Sequence, residues 1–311
     1  ARWQAVTASP RSQIGPVAWS KQGQIVAVDG FAPLRCYDAT SLELRRLVGP
    51  FPYSGYNMTT SGDGESVIWG GRIIRLDDPD SQRLSTLAYL SLSPDGKLLA
   101  GQKPDGKLCV QTIDGTEIRS FDRALVVFVS HHDCLLWSSD SRRLCVLDAD
   151  RTTVSILNLD GTTAASFATG HTSGVIAMSW STDGTLLATG TSTDSLRLAK
   201  VEAVEAKDDD NAAAAGGKLQ ITALAGPLNF GPISSLAWSP DSQRLAIGTH
   251  GNVIFVDRSG KEVARTAGPT DHCFSLAWSP DGREVAAGQK NGLFVWTADG
   301  QFARAAYQSN A

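Results

Sequence analysis

Leu236-Ala237-Trp238-Ser239-Pro240-Asp241-Ser242 and Leu276-Ala277-Trp278-Ser279-Pro280-Asp281-Gly282 are one phrase written twice, 40 residues apart. An apolar run ending in Trp reads as a strand. The Ser-Pro-Asp-Gly or Ser-Pro-Asp-Ser that follows reads as a tight turn, because Asp hydrogen-bonds its own backbone and Gly tolerates positive φ. Weaker copies centre on Trp19-Ser20-Lys21-Gln22-Gly23, Ser61-Gly62-Asp63-Gly64, Leu92-Ser93-Pro94-Asp95-Gly96, Trp137-Ser138-Ser139-Asp140-Ser141 and Trp180-Ser181-Thr182-Asp183-Gly184. Spacings between successive copies run from 32 to 58 residues. Seven such units consume all 311 residues. A repeat of this period, with four short strands per unit, is the signature of a β-propeller blade.

Working outward from the turn, each unit offers a second apolar strand, such as Lys97 to Gly101 or Arg244 to Gly248. A third follows at Lys107 to Thr112, Val253 to Asp257 and Leu293 to Thr297. The fourth is more polar, as in Thr116 to Phe121, Leu219 to Ala225 and Lys261 to Thr266. Continuous apolar runs on the inner strands with alternation on the outer one predict four-stranded antiparallel sheets stacked face to face. The expected fold is all-β: one seven-bladed propeller, with blades over 11–48, 55–87, 88–121, 132–168, 174–225, 232–266 and 273–300.

Proline turns follow the outer strands at Gly49-Pro50, Gly226-Pro227 and Gly268-Pro269, and the same pattern ends at Ser9-Pro10. Residues 3–8 therefore read as an outer strand without inner strands before it. They are expected to complete blade seven and close the ring, with Gln301 to Tyr307 then a tail; Gln301 to Tyr307 also reads as an outer strand for blade seven and is the alternative. Closure of that kind removes sheet edges that invite aggregation. Residues 202–217, with Lys207-Asp208-Asp209-Asp210-Asn211 and an alanine-glycine run, read as a flexible insertion that costs little loop-closure entropy. The apolar run Leu125-Val126-Val127-Phe128-Val129 fits either the outer strand of blade three or a shifted inner strand.

Composition bounds the function. The chain is 42% hydrophobic with a net charge of −4, which argues against a nucleic-acid binder needing clustered Lys and Arg. No apolar run approaches the ~18 residues needed to cross a bilayer. The five cysteines sit in apolar strand patterns without C-x-x-C, so buried free thiols and a cytoplasmic location are expected. The chain begins with Ala1 rather than Met, so residues upstream are expected to have been removed, and a fragment of a multidomain protein is a further reading.

These repeats resemble the WD-repeat family of seven-bladed propellers over essentially the whole chain. Gly170-His171 stands at that family's Gly-His element, and Tyr37-Asp38 and Trp296-Thr297 stand at its Trp-Asp pair. The resemblance implies a buried Asp–His–Ser/Thr–Trp network, of which blade five keeps Asp194, His171 and Thr189 while Ala199-Lys200 replaces the Trp. Blade seven keeps Trp296 but has Asn291 in the turn. It also implies an upper face formed by the loops leading into first strands and those between second and third strands. Carried over, those positions are Phe31, Arg72, Lys103, His250 and Lys290, with Phe51, Tyr53 and Tyr56 leading into blade two. Aromatics in a desolvated patch are favoured as binding hot spots.

The expected function is a non-catalytic scaffold that meets a protein or peptide partner through this face, as a monomeric ring or a subunit of a larger complex, with no cofactor, no nucleic acid and no membrane insertion. No G-x-S-x-G elbow occurs. His131-His132-Asp133-Cys134 are adjacent residues pointing to alternate faces, which favours a polar loop over a metal site. The phrase Trp278-Ser279-Pro280-Asp281-Gly282 is also similar to those of TolB-like and prolyl-peptidase propellers. That implies an alternative: an accessory or gating propeller of an enzyme, or a small-molecule binder. Acidic groups converging on the central channel would favour it; small apolar and Ser/Thr residues there would favour the scaffold.

Overall fold

The computed structural model describes residues 4–8, 14–20, 23–29, 34–49, 58–61, 66–69, 71–76, 78, 83–124, 135–193, 196–204, 217–266 and 271–310. They form seven sheets, each with four antiparallel strands in sequence order and the last with a fifth strand added. Blade one comprises Ile14–Trp19, Gln24–Asp29, Leu34–Asp38 and Leu44–Val48; blade two, Met58–Thr60, Ser66–Trp69, Arg72–Arg75 and Arg83–Leu84. Blade three holds Ala88–Leu92, Leu98–Gln102, Lys107–Thr112 and Glu117–Ala124; blade four, Leu135–Trp137, Arg143–Leu147, Thr153–Asn158 and Thr163–Ala168. Blade five is built from Val175–Trp180, Leu186–Thr191, Leu196–Ala203 and Leu219–Leu228. Blade six follows with Ile233–Trp238, Arg244–Thr249, Val253–Asp257 and Glu262–Arg265. Blade seven ends the chain with Cys273–Trp278, Glu284–Gln289, Gly292–Thr297 and Phe302–Asn310. The four positions are called a to d below, from inner to outer.

The repeated phrase shapes the a–b turn as its chemistry requires. In blades three to seven the Ser hydroxyl donates to the Asp two residues on, at 2.5–2.6 Å, as in Ser239–Asp241 and Ser279–Asp281. The same oxygen accepts the backbone N–H five residues on, as from Glu284 to Ser279 at 2.9 Å. A single buried hydroxyl thus satisfies the turn from inside. The residue after Asp takes positive φ, which is why Gly96, Gly184 and Gly282 occupy it. Ser141 and Ser242 adopt the same conformation at φ 59°.

The apolar residues are spent between blades. Each hydrophobic cluster joins two consecutive sheets, because strand residues alternate faces. In blade seven Val285, Ala287 and Trp278 face Phe255 of blade six, whereas Ala286 faces blade one with Ile25 and Tyr37. The same holds at every junction, one to two through six to seven. Blade seven also packs on blade one, so the series returns to its start. There Val17 N–H donates to Ser275 Oγ at 3.2 Å, and Arg304 Nε donates to the Ala39 carbonyl at 2.6 Å. Three inner-strand tryptophans stitch further junctions: Trp137, Trp238 and Trp278 donate Nε1–H to the carbonyls of Ser91, Ser179 and Ala237 on the preceding blade. Those three are buried. Trp19 and Trp180, at the same inner-strand position, are only half-buried, and Trp180 donates instead to Gly184 of its own turn.

The N-terminal strand is the main departure from expectation. Gln4–Ala8 does join blade seven, but as a fifth strand running parallel to Phe302–Asn310. The fourth position belongs to the C-terminal segment, which is therefore no tail: it pairs antiparallel with Gly292–Thr297. In blade five, Gly226-Pro227 does not end strand d, which runs on to Leu228. Glu202 and Ala203, expected inside the insertion, extend strand c and pair with Gln220 and Leu219. Residues 205–216 and 125–134, including His131 to Cys134, lie outside the described residues.

Candidate partner-binding face

Antiparallel order puts the b–c turns and the loops leading into strand a at one end of every blade, and the a–b and c–d turns at the other. Contacts between blades keep these ends in step. The a–b turn at Asp95 meets that at Ser141, and His250 in a b–c turn meets His272 leading into the next blade. The b–c end is the upper face expected to meet a partner.

The expected contact residues distribute unevenly over it. His250 is exposed in the b–c turn of blade six, and its ring meets His272 edge-on at 4.1 Å. His272 in turn meets Phe274 edge-on at 4.5 Å. Lys290 is exposed in the two-residue turn of blade seven, beside Asn291, whose Nδ2 donates to Asp271 at 2.8 Å. Asp271 also accepts from His272 N–H, and its own N–H donates to Gln289 Oε1. His250 and Lys290 therefore belong to one cluster at the blade six–seven junction. Its centre, His272 with Phe274, reads in sequence as loop and strand; only the stacking of repeats shows that positions 250 and 272 face each other. The wholly buried Gln289 leaves Nε2 without a hydrogen-bond partner among the described residues.

Lys103 stands apart in the b–c turn of blade three, tied to Glu117 at 3.1 Å. That hydrogen bond raises its pKa. Arg72 opens strand c of blade two, half-buried, opposite Trp69 and Leu84. Phe31, Phe51, Tyr53 and Tyr56 lie outside the described residues, as does Asp194.

Of the structural network implied for blade five, His171 Nε2 lies 2.9 Å from Thr189 Oγ1. Burial, aided by the Arg197 charge, pushes the His171 pKa down to about 4. The imidazole is neutral at ordinary pH.

The chemistry around the axis is apolar or hydroxylic. Inner strands such as Ile233–Trp238 (ISSLAW) and Val175–Trp180 (VIAMSW) carry Ala, Ser and aliphatic residues, and no a strand contains Asp, Glu, Lys, Arg or His. Burial raises the Cys36 and Cys109 thiols to about 11 and the Cys145 and Cys273 thiols to about 12, the protonated, unreactive state. No group of three or more His, Cys, Asp or Glu is gathered for a metal among the described residues.

Comparison with known proteins agrees with this architecture. The family model "WD domain, G-beta repeat" matches residues 161–198, 219–257 and 260–297. Each match begins at or beside strand d of one blade and ends near strand c of the next, so the sequence repeat is staggered by one strand against the sheets. Among solved structures, the β-propeller domain of Cps50 (Swd1) from Myceliophteria thermophila superposes with a TM-score of 0.71 at 14% identity, covering 95% of this chain and 99% of that one. That likeness is one of fold. No curated protein matches the chain.

Proposed function

We propose that this chain, a β-propeller built on WD repeats, is a non-catalytic scaffold that presents its upper face to a protein or peptide partner, as a free adaptor or as a module of a larger assembly. The observation that carries this reading is the division of labour between surfaces. The sheets spend their apolar faces on one another, and the inner strands hold no ionisable acid or base beyond Cys273 and Tyr89. The upper blade six–seven junction, by contrast, exposes His250 and Lys290 over a half-buried aromatic pair. Aromatic side chains at the centre of such a patch are favoured as binding anchors. Fold alone would not license the step. Four buried free thiols fit a reducing, cytoplasmic setting.

Affinity capture with the intact chain tests it, repeated with His250, His272 and Lys290 changed to Ala and, separately, with Phe51, Tyr53 and Tyr56 changed to Ala. Partners lost in either variant while the fold persists support the upper face. Retention of every partner by both variants, or turnover by the purified chain in a broad hydrolase screen, removes this reading.

A further inference from the structure

Between blades four and five the upper ends of the outer strands enclose a cleft with an empty volume of about 440 Å³, counting its open mouth. Phe167, Thr169, Thr189, Arg197 and Leu224 are among the residues lining it.

The sequence opens this cleft in two ways. Ala199 sits opposite Leu187, the register that Trp296 holds opposite Val285 in blade seven. Trp296 is wholly buried against blade six; an Ala at the same place leaves that volume free on the blade-four side. Strand d then bulges. Leu196 pairs with Leu228 and Leu198 with Ala225, so Gly226 and Pro227 together face Arg197. A bulge of this kind re-aims a side chain. A Cβ on Gly226 would fall 2.8 Å from Arg197 Cγ, and one on Gly170 would fall 3.1 Å from Nη1. Both glycines have positive φ, so the guanidinium occupies space that only glycine leaves.

Among the described residues, the cation set into this cleft has no counter-ion. Arg197 Nε is buried without a hydrogen-bond acceptor, and no described carboxylate pairs with the guanidinium. Its neighbour His171 is neutral and engaged with Thr189, so it offers no compensating charge. By contrast, Arg304 binds Glu284 through both Nη atoms, and Arg258 in the c–d turn of blade six binds Asp183. A desolvated guanidinium donor left unmade is costly, and its planar fork matches a carboxylate. Around it the rim is apolar: Leu224 is 48% exposed and Phe167 is half-buried.

We propose that this cleft is a docking site for an extended peptide segment of a protein partner that carries a carboxylate side chain next to an apolar one. The carboxylate seats on Arg197, and the apolar neighbour covers Leu224 and Phe167. This inference rests on the scaffold reading and names a surface at the outer rim of the same face.

The test uses the full chain and a panel of immobilised hexapeptides placing Glu beside Leu or Phe, each with a Gln counterpart. The unmodified chain is expected to retain the Glu peptides over their Gln partners by roughly tenfold, the difference made by a charge-assisted pair. Arg197→Gln should erase that preference. Leu224→Glu alters an exposed position that leaves the core intact, and it should weaken both sets of peptides, the Glu ones more, because both lose the apolar contact and only Glu meets like charge. The Arg197 Nε–H resonance should shift when the best-retained Glu peptide is added. Equal retention of Glu and Gln peptides, retention of neither, or a preference that survives Arg197→Gln overturns the site. A chain that captures partners through His250, His272 and Lys290 yet shows no Arg197-dependent preference loses this cleft and keeps the scaffold reading.

Discussion

The Ser242 hydroxyl accepts a hydrogen bond at 2.9 Å from the backbone N–H of Asp183, a residue in the corresponding turn of the preceding blade. Ser141 does the same for Asp95 at 3.1 Å. Both serines stand where other blades carry glycine, in a left-handed conformation that costs a side chain about 1 kcal/mol. The bond between blades offsets that cost. Arg258 reinforces the same junction, donating to Asp183 Oδ2, the Ser242 carbonyl and Thr185 Oγ1.

Two substitutions at Ser242 separate strain from bonding. Ser242→Ala keeps the strain and loses the acceptor, with an expected cost of about 1–3 kcal/mol in denaturant unfolding. Ser242→Gly loses the acceptor but relieves the strain, so it should cost less than Ala. A Gly variant more stable than the natural chain would show that the bond does not offset the strain.

Removing the turn hydroxyl is a comparable loss made inside one blade. Ser279→Ala deletes the donor to Asp281 and the acceptor for Glu284 N–H at a buried site. A loss of about 1–3 kcal/mol is expected, read from the urea midpoint. The Ser279 hydroxyl also holds the Asp281 carboxyl below its usual pKa. That contribution is full above the ordinary carboxylate range and disappears as pH falls through the lowered folded-state value. The variant should accordingly lose less stability on acidification than the natural chain.

His171 sets a second pH window. Its folded value near 4 lies below the ordinary 6.5, so the unfolded chain takes up a proton that the folded chain refuses. The stability at stake is complete above about pH 6.5 and is lost as pH falls towards 4. Thermal melts across that interval should show a decline that His171→Gln flattens. An unchanged slope in the variant would assign the decline elsewhere.

Deleting residues 1–8 tests what holds the last blade to the first. The N-terminal strand is a parallel addition outside a sheet that already has four strands, whereas the junction itself rests on Val17, Tyr37, Leu293 and Ala306. The deletion should therefore lower Tm by only a few degrees, within about 1 kcal/mol. Arg304→Met, which breaks the tie to Ala39 and the paired bonds to Glu284, should cost more.

The fold was legible because one turn solves one local problem seven times. Ser239, Asp241 and Gly282 announce their own backbone conformations, and alternation around them assigns faces. What sequence order does not encode is neighbourhood across the repeat. Gln4–Ala8 and Phe302–Asn310 share an outer-strand pattern, and which lies fourth and which fifth depends on pairing in space. Ser and Gly after the turn Asp look interchangeable until the N–H of Asp183 is found against Ser242. His272 looks like loop until the preceding blade brings His250 to it. Of the expected contacts, His250 and Lys290 converge on one junction, Lys103 is bound to Glu117, and Arg72 opens strand c opposite Trp69.

A core that lies between sheets rather than within one has a mechanical consequence. Peeling any single blade away lays bare two greasy surfaces at once, and the circuit offers no terminal unit from which fraying could begin cheaply, unlike an open solenoid. Heat or denaturant should meet an object that holds until several junctions give way together, and partial digestion should yield either the whole wheel or small pieces.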